Sequence, residues 1–194
     1  MAECQRRGIR FKKIFLFYVL EYVPDPLSYL KHLIDLLDSD GKIIAITPNL
    51  KDPLKDIWRN PGFARFFYDE HAINYFSPRS IRYMLRELPL IESVVSTRQG
   101  YSFINHLSWH LSNAPRTTGV VGGDNFTNEV VRCLEASEDQ KCTEALRLGQ
   151  ESVGECLGRL LLDFDKSYRE CLEDAQLGNQ IRMILSSTLS VSSK

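Results

Sequence analysis

The sequence predicts an α/β fold built on a sheet of about four strands, and three consecutive stretches carry that expectation. Ile14 to Phe17 is a continuous apolar run, the pattern of a parallel strand covered on both faces. Leu27, Leu30, Leu33, Ile34 and Leu37 then recur at helical spacing on one face. Lys42 to Thr47 is a second β-rich run, which Pro48 stops. A strand–helix–strand unit of this kind crosses over right-handedly, so its two strands lie parallel.

Taken in order, Met1 to Arg10 shows no apolar periodicity and is expected to be loose. The first strand is placed at Ile14–Tyr18. Asp25 suits the N-cap and Pro26 the first position of the helix that follows. Asp40-Gly41 is expected to end that helix, with Gly41 in the left-handed conformation, before the strand Lys42–Thr47. Leu50 to Tyr68 reads as a connection with Asp52-Pro53 and Asn60-Pro61-Gly62 turn signals. Its aromatic side chains (Trp58, Phe63, Phe66, Phe67 and Tyr68) either close over a site or pack on the sheet.

Ser77-Pro78 repeats the cap-then-proline signal, and Ile81, Met84, Leu85 and Leu88 give the new helix a buried face that ends at Pro89. Leu90–Thr97 is a third strand centred on Val94-Val95. Gly100 to Asp124 reads as irregular. A helical insertion is expected over about 125–175, with Leu146, Val153, Leu157, Leu160, Leu161 and Phe164 in one apolar stripe. Gly178 stops the last helix, Gln180–Ser186 forms the fourth strand, and residues 188–194 are a polar tail. Residues 11–187 are thus expected to form a single domain.

Composition narrows the function classes. The chain has 194 residues, enough for one domain with a core. A formal net charge of -1 gives no global attraction to nucleic acid or to an anionic membrane. The basic residues between Arg6 and Lys13 lack an aromatic platform or a nucleic-acid motif. Followed by Ile14 to Leu20 they mimic a signal peptide. The next residues are Glu21-Tyr22-Val23-Pro24, not a small-residue cleavage site, and the apolar run is too short to span a bilayer. Five cysteines without a close pair point to reduced thiols in a cytoplasmic protein and to no metal site.

Several segments together resemble the second half of a Rossmann-like S-adenosylmethionine (SAM) methyltransferase. They are Val19-Leu20-Glu21-Tyr22-Val23-Pro24-Asp25-Pro26, Asp40-Gly41-Lys42, Thr47-Pro48-Asn49, Glu70-His71-Ala72-Ile73-Asn74-Tyr75-Phe76-Ser77-Pro78 and Leu177-Gly178-Asn179-Gln180-Ile181. The resemblance implies a partial methyltransferase sheet whose last strand runs antiparallel between its neighbours. It implies SAM as cofactor and a small molecule or glycan as methyl acceptor. Phe17, Tyr18, Val19, Glu21 and Tyr22 would line the cofactor. Thr47, Pro48, Asn49, Asn74 and Tyr75 would line the acceptor. His71 is the candidate acid–base residue, with Glu70 to orient it, since an imidazole titrating near ~6.5 suits proton removal.

The family's Glu-x-Gly-x-Gly loop is not found before the first strand, so the chain is expected to begin about halfway through the family's fold. Ile14–Tyr18 would then be an apolar sheet edge, a template for pairing with a second copy or with a polypeptide carrying the complementing N-terminal half. Two functions follow: a methyltransferase or its acceptor-side half, and a non-catalytic remnant or interaction module that does not bind SAM by itself.

Overall fold

The computed structural model describes residues 2–88, 91–113, 147–148 and 151–187. They fall into two compact units, where the sequence predicts one domain. The first unit draws on the chain up to Asp52, on Tyr68–Arg98 and on the chain from Gln176 onward; the second draws on Pro53–Phe67 and Gln99–Ala175.

The first unit is a four-stranded mixed sheet in the order β1-β2-β6-β3, with β1 at Phe11–Phe17, β2 at Leu37–Pro48, β3 at Ile91–Arg98 and β6 at Gln180–Ser187. β1 and β2 are parallel, and β6 runs antiparallel between β2 and β3. These are the arrangement and the antiparallel last strand that the sequence predicts. Along β2 the side chains alternate: Ile43, Ala45 and Thr47 are buried, while Lys42, Ile44 and Ile46 face the other way. β6 alternates likewise, burying Ile181, Met183 and Leu185.

Helices α2 (Pro26–Ile34) and α5 (Pro78–Leu85) supply the apolar cover for that face. Leu30 and Leu33 of α2 and Ile81 and Leu85 of α5 join Leu16, Ile43, Met183 and Leu185 in one core. Each such side chain contributes roughly 1.5–3 kcal/mol by leaving water. Both helices start as expected: Asp25 Oδ1 accepts from the Ser28 N–H at 3.0 Å, and Ser77 and Ser80 form a reciprocal capping box.

Four expectations need correction. Residues Ala2–Arg6 are not loose but form a short helix, α1; Cys4 packs against the core and the Arg10 guanidinium donates to the Asp35 carbonyl. α2 ends at Ile34, and the chain enters β2 at Leu37 without a glycine cap. Gly41 lies inside β2, where a side chain would meet the Phe11 carbonyl at 2.8 Å and the Asp38 backbone at 2.9 Å. It serves the irregular β1–β2 register between Phe11 and Lys13, not a left-handed turn. β1 is not covered on both faces, because only Leu16 is buried while Phe15 and Phe17 are exposed. The last long helix stops at Asp174 with Gln176 left-handed at φ 60, and Gly178 instead allows close approach to the Arg98 backbone.

The second unit holds α3 (Pro53–Asp56), α4 (Pro61–Phe67), α6 (Phe103–Ser112), a two-residue ladder of β4 (Arg147–Leu148) with β5 (Glu151–Ser152), and α7 (Val153–Asp174). α6 lies inside the Gly100–Asp124 segment expected to be irregular, whose residues 114–124 lie outside the described residues; Ser102 caps it by accepting from the Asn105 N–H at 3.1 Å. The aromatic residues of the Pro53–Phe67 stretch pack here: Phe63 lies edge-on to Trp109, with ring centroids 5.2 Å apart. His106 is fully buried and bonds the Tyr168 hydroxyl through Nδ1 at 2.7 Å and Gln99 Nε2 through Nε2 at 3.2 Å. Burial, with the Arg169 charge second, pushes its pKa down to about 4, so the ring is neutral. α7 lies within the stretch expected as a helical insertion, and Leu157, Leu160 and Phe164 of the expected stripe are exposed. Leu146, Pro89, Leu90, residues 125–145, the polar tail 188–194, Cys133 and Cys142 lie outside the described residues.

Candidate functional site

The first unit brings the carboxyl ends of β1 and β2 together with the loop that leads into α5. β1 ends at Phe17, and Tyr18 takes a positive φ of 55, a conformation uncommon for a non-glycine residue. Two bonds hold it there. Its N–H donates to the Ile46 carbonyl at 2.9 Å, and its hydroxyl accepts from Gln180 Nε2 at 2.6 Å. A single 3-10 turn, Leu20–Tyr22, follows.

Glu21 in that turn is buried and ties three segments. Its carboxylate accepts from the Thr47 hydroxyl at 3.1 Å, and its backbone carbonyl accepts from the Ile73 and Asn74 N–H groups at 2.9 and 3.0 Å. Burial raises its pKa above the usual carboxylate value, and hydrogen bonds from its own backbone and from Thr47 only partly oppose this. Asn74 closes the same turn from outside, donating to the Val23 carbonyl at 2.6 Å and more weakly to the Leu20 carbonyl at 3.4 Å.

A rim of three tyrosines surrounds Asp69. The His71 N–H donates to Asp69 Oδ1 at 2.8 Å, the Tyr75 hydroxyl donates to the Asp69 carbonyl at 2.9 Å, and the Asp69 charge acts on the Tyr22 phenol. Tyr68 meets Tyr75 edge-on at 5.1 Å. The Tyr22 phenol has its pKa raised, first by desolvation and then by the charges of Asp69 and Glu21. Tyr75 is shifted the same way, by desolvation and then by Asp69. Aromatic faces and carboxylates side by side favour a cationic ligand.

The expected site residues divide by exposure. Phe17, Tyr18, Tyr22 and His71 reach solvent, and Val19, Pro48, Asn74 and Tyr75 are half-buried. Glu21, Thr47 and Asn49 are buried among protein partners. Asn49 Nδ2 donates to the Gly178 carbonyl at 2.8 Å, and its Oδ1 accepts from the Lys51 N–H at 3.0 Å. His71 is 77% exposed, with its Nε2 3.7 Å from the Glu70 carboxylate. Asp69 is not singled out by the sequence, whereas Tyr68 belongs to the aromatic group expected to close over a site or pack on the sheet. Their neighbour Glu70 opens a recognised motif, but nothing in the linear pattern ties Asp69 to Tyr22. Among the described residues no group of three His, Cys, Asp or Glu could hold a metal ion, and no helix is long and apolar enough to cross a membrane.

Residues 2–89 match the sequence profile of a family described as a methyltransferase domain. No curated protein matches the chain. Among solved structures the chain is similar to a SAM-dependent methyltransferase from Archaeoglobus fulgidus, at 12% identity and a TM-score of 0.42, over 96% of this chain and 65% of that one. It is similar to the plantazolicin methyltransferase BamL, crystallised with a triazolic desmethylPZN analog and SAH, at 14% identity and 0.39, over 96% and 57%. A third is a phosphoethanolamine N-methyltransferase 2 from Haemonchus contortus, at 12% identity and 0.36, over 93% and 34%. The chain therefore spans less than two thirds of the length of each of these proteins.

Proposed function

With a methyltransferase domain detected over residues 2–89 of this chain, we propose that the chain takes part in SAM-dependent methyl transfer to a small molecule or glycan. The observation that carries this reading lies inside the matched segment. Buried Glu21 ties the carboxyl ends of two parallel strands to the loop where Tyr75 and the His71 backbone bond Asp69, and the charges of Asp69 and Glu21 both act on Tyr22. Open α/β sheets bind ligands at those ends.

SAM, when bound, supplies an electrophilic methyl group on a sulfonium cation. The donor set present fits the cationic and aromatic parts of that molecule. Phe17, Tyr18, Val19 and Tyr22 offer apolar and aromatic surface. Glu21 and Asp69 supply the negative field that favours a cation. Thr47, Pro48, Asn49, Asn74 and Tyr75 form the acceptor side: buried Thr47 and Asn49 fix the end of β2, while Pro48, Asn74 and Tyr75 are available for contact. His71 takes the acceptor's proton at Nε2, with Glu70 to hold the imidazolium.

A second reading, that of a remnant or interaction module that does not bind SAM by itself, draws on the protein partners already held by Glu21, Thr47 and Asn49 and on the open edge of β1. On that reading a polypeptide carrying the complementing half adds a strand beside β1, which is an edge of the sheet among the described residues. Calorimetric titration of the purified chain with SAM separates the two. Binding at micromolar Kd, weakened about tenfold or more in Tyr22→Ala, supports the enzyme. No heat at millimolar SAM leaves the module.

A further inference from the structure

Among the described residues of the first unit, helices α2 and α5 pack on one face of the sheet. The opposite face can be read row by row from the strand register. Phe15, Ile44, Ile184 and Val94 are successive partners across β1, β2, β6 and β3, so one row is apolar from edge to edge. Phe15 is 54% and Val94 59% exposed, and none of the four belongs to the core that α2 and α5 cover. The neighbouring row reads Lys13, Lys42, Ser186, Glu92, with basic side chains at the β1 edge and an acidic one at the β3 edge. On the other side Phe17, 53% exposed, begins a row that includes Arg182.

We infer that this face is a homodimer interface, in which two copies of the chain pack sheet on sheet. The distribution of charge selects a second copy over a generic apolar partner. A twofold axis parallel to the strands reverses the strand order but keeps each row in line. It sets the apolar row against the same row of the partner, and Lys13 against the partner's Glu92, twice over. Lys42 then faces the partner's Ser186 and Arg182 the partner's Ile46, so no like charges are forced together. The long stems of Lys42 and Arg182 lie along apolar surface while their heads reach water. Aligned sheets pack about 10 Å apart with strand directions within about 30°, which keeps such rows in register. A self-complementary patch of this kind is what closed twofold dimers use. It differs from strand addition at the β1 edge, which would use backbone groups and be indifferent to Glu92. It is also independent of the methyl-transfer reading.

The test is sedimentation equilibrium of the whole chain and three variants, with circular dichroism to check that each keeps its sheet. The wild type should dimerise. Glu92→Lys should weaken the dimer about tenfold or more, since it sets lysine against Lys13 of the partner. Lys13→Glu alone should weaken it similarly, and Lys13→Glu combined with Glu92→Lys should restore it. A wild type that stays monomeric would assign the face to another occupant and overturn the inference. So would a dimer whose strength ignores all three variants.

Discussion

The Thr47 hydroxyl, at the end of β2, donates at 3.1 Å to the carboxylate of Glu21, just past the end of β1, and both residues are buried. This one bond joins the two strand ends that frame the candidate site. Its neighbours on the same turn are backbone bonds from Ile73 and Asn74 and the Asn74 side chain.

Removing the donor should therefore cost stability. Thr47→Val keeps the shape and leaves the buried carboxylate short of a partner, at about 1–3 kcal/mol. Thr47→Ser should lose far less, because it retains the hydroxyl. Urea unfolding followed by far-ultraviolet dichroism measures both; equal losses would mean that the methyl group, not the bond, matters.

Glu21 also sets a pH dependence. Its unfolded value is near 4.5 and its folded value is raised, so the folded state holds the proton more readily. Its stabilising contribution is full below that unfolded value and fades as pH rises through the folded value. Glu21→Gln stays neutral and still accepts from Thr47. Its stability relative to wild type should grow as pH rises from about 4 to about 7. Parallel curves would contradict the raised value.

The second unit has its own titration. His106 has its pKa depressed from 6.5 to about 4, so the folded unit refuses a proton that the unfolded chain accepts. This contribution is present above pH 6.5 and is lost as pH falls toward about 4, on the order of 3 kcal/mol in all. Both tryptophans, Trp58 and Trp109, lie in this unit, so their fluorescence reports it alone. The midpoint in urea should drop across that window in wild type and stay flatter in His106→Gln.

Gly178→Ala tests the close approach between the start of β6 and the end of β3. The new methyl would sit 2.7 Å from the Arg98 carbonyl carbon and 2.8 Å from its oxygen. Backbone cannot yield as a flexible side chain can, so a loss of about 1–3 kcal/mol is expected. An unchanged midpoint would mean that the two strand ends can separate freely.

Legibility from the sequence follows the reach of each signal. The caps at Asp25 and Ser77 are local, and they stand as read. The strand–helix–strand unit and the antiparallel last strand also stand. Gly41 misled because a glycine after a helical run usually marks a cap; here the early start of β2 was dictated by burial of Leu36 and Leu37 in the core. α6 was missed although Ser102 caps it, because its aromatic and histidine content hid a helical period. In the site, Tyr22 and Tyr75 were found through a family motif. Asp69, which joins them, has only a three-dimensional signature.

The central claim is that Phe17, Tyr18, Val19, Glu21 and Tyr22 form a wall for SAM. Ultraviolet crosslinking of methyl-labelled SAM to the whole chain, followed by tryptic mapping, tests it even where binding is weak. Trypsin cuts after Lys13 and Lys31, which places all five residues on the peptide Ile14–Lys31. The account predicts label on that peptide, competed by SAH and reduced in Tyr22→Ala. Label confined to peptides other than this one, or label that SAH does not displace, would contradict it.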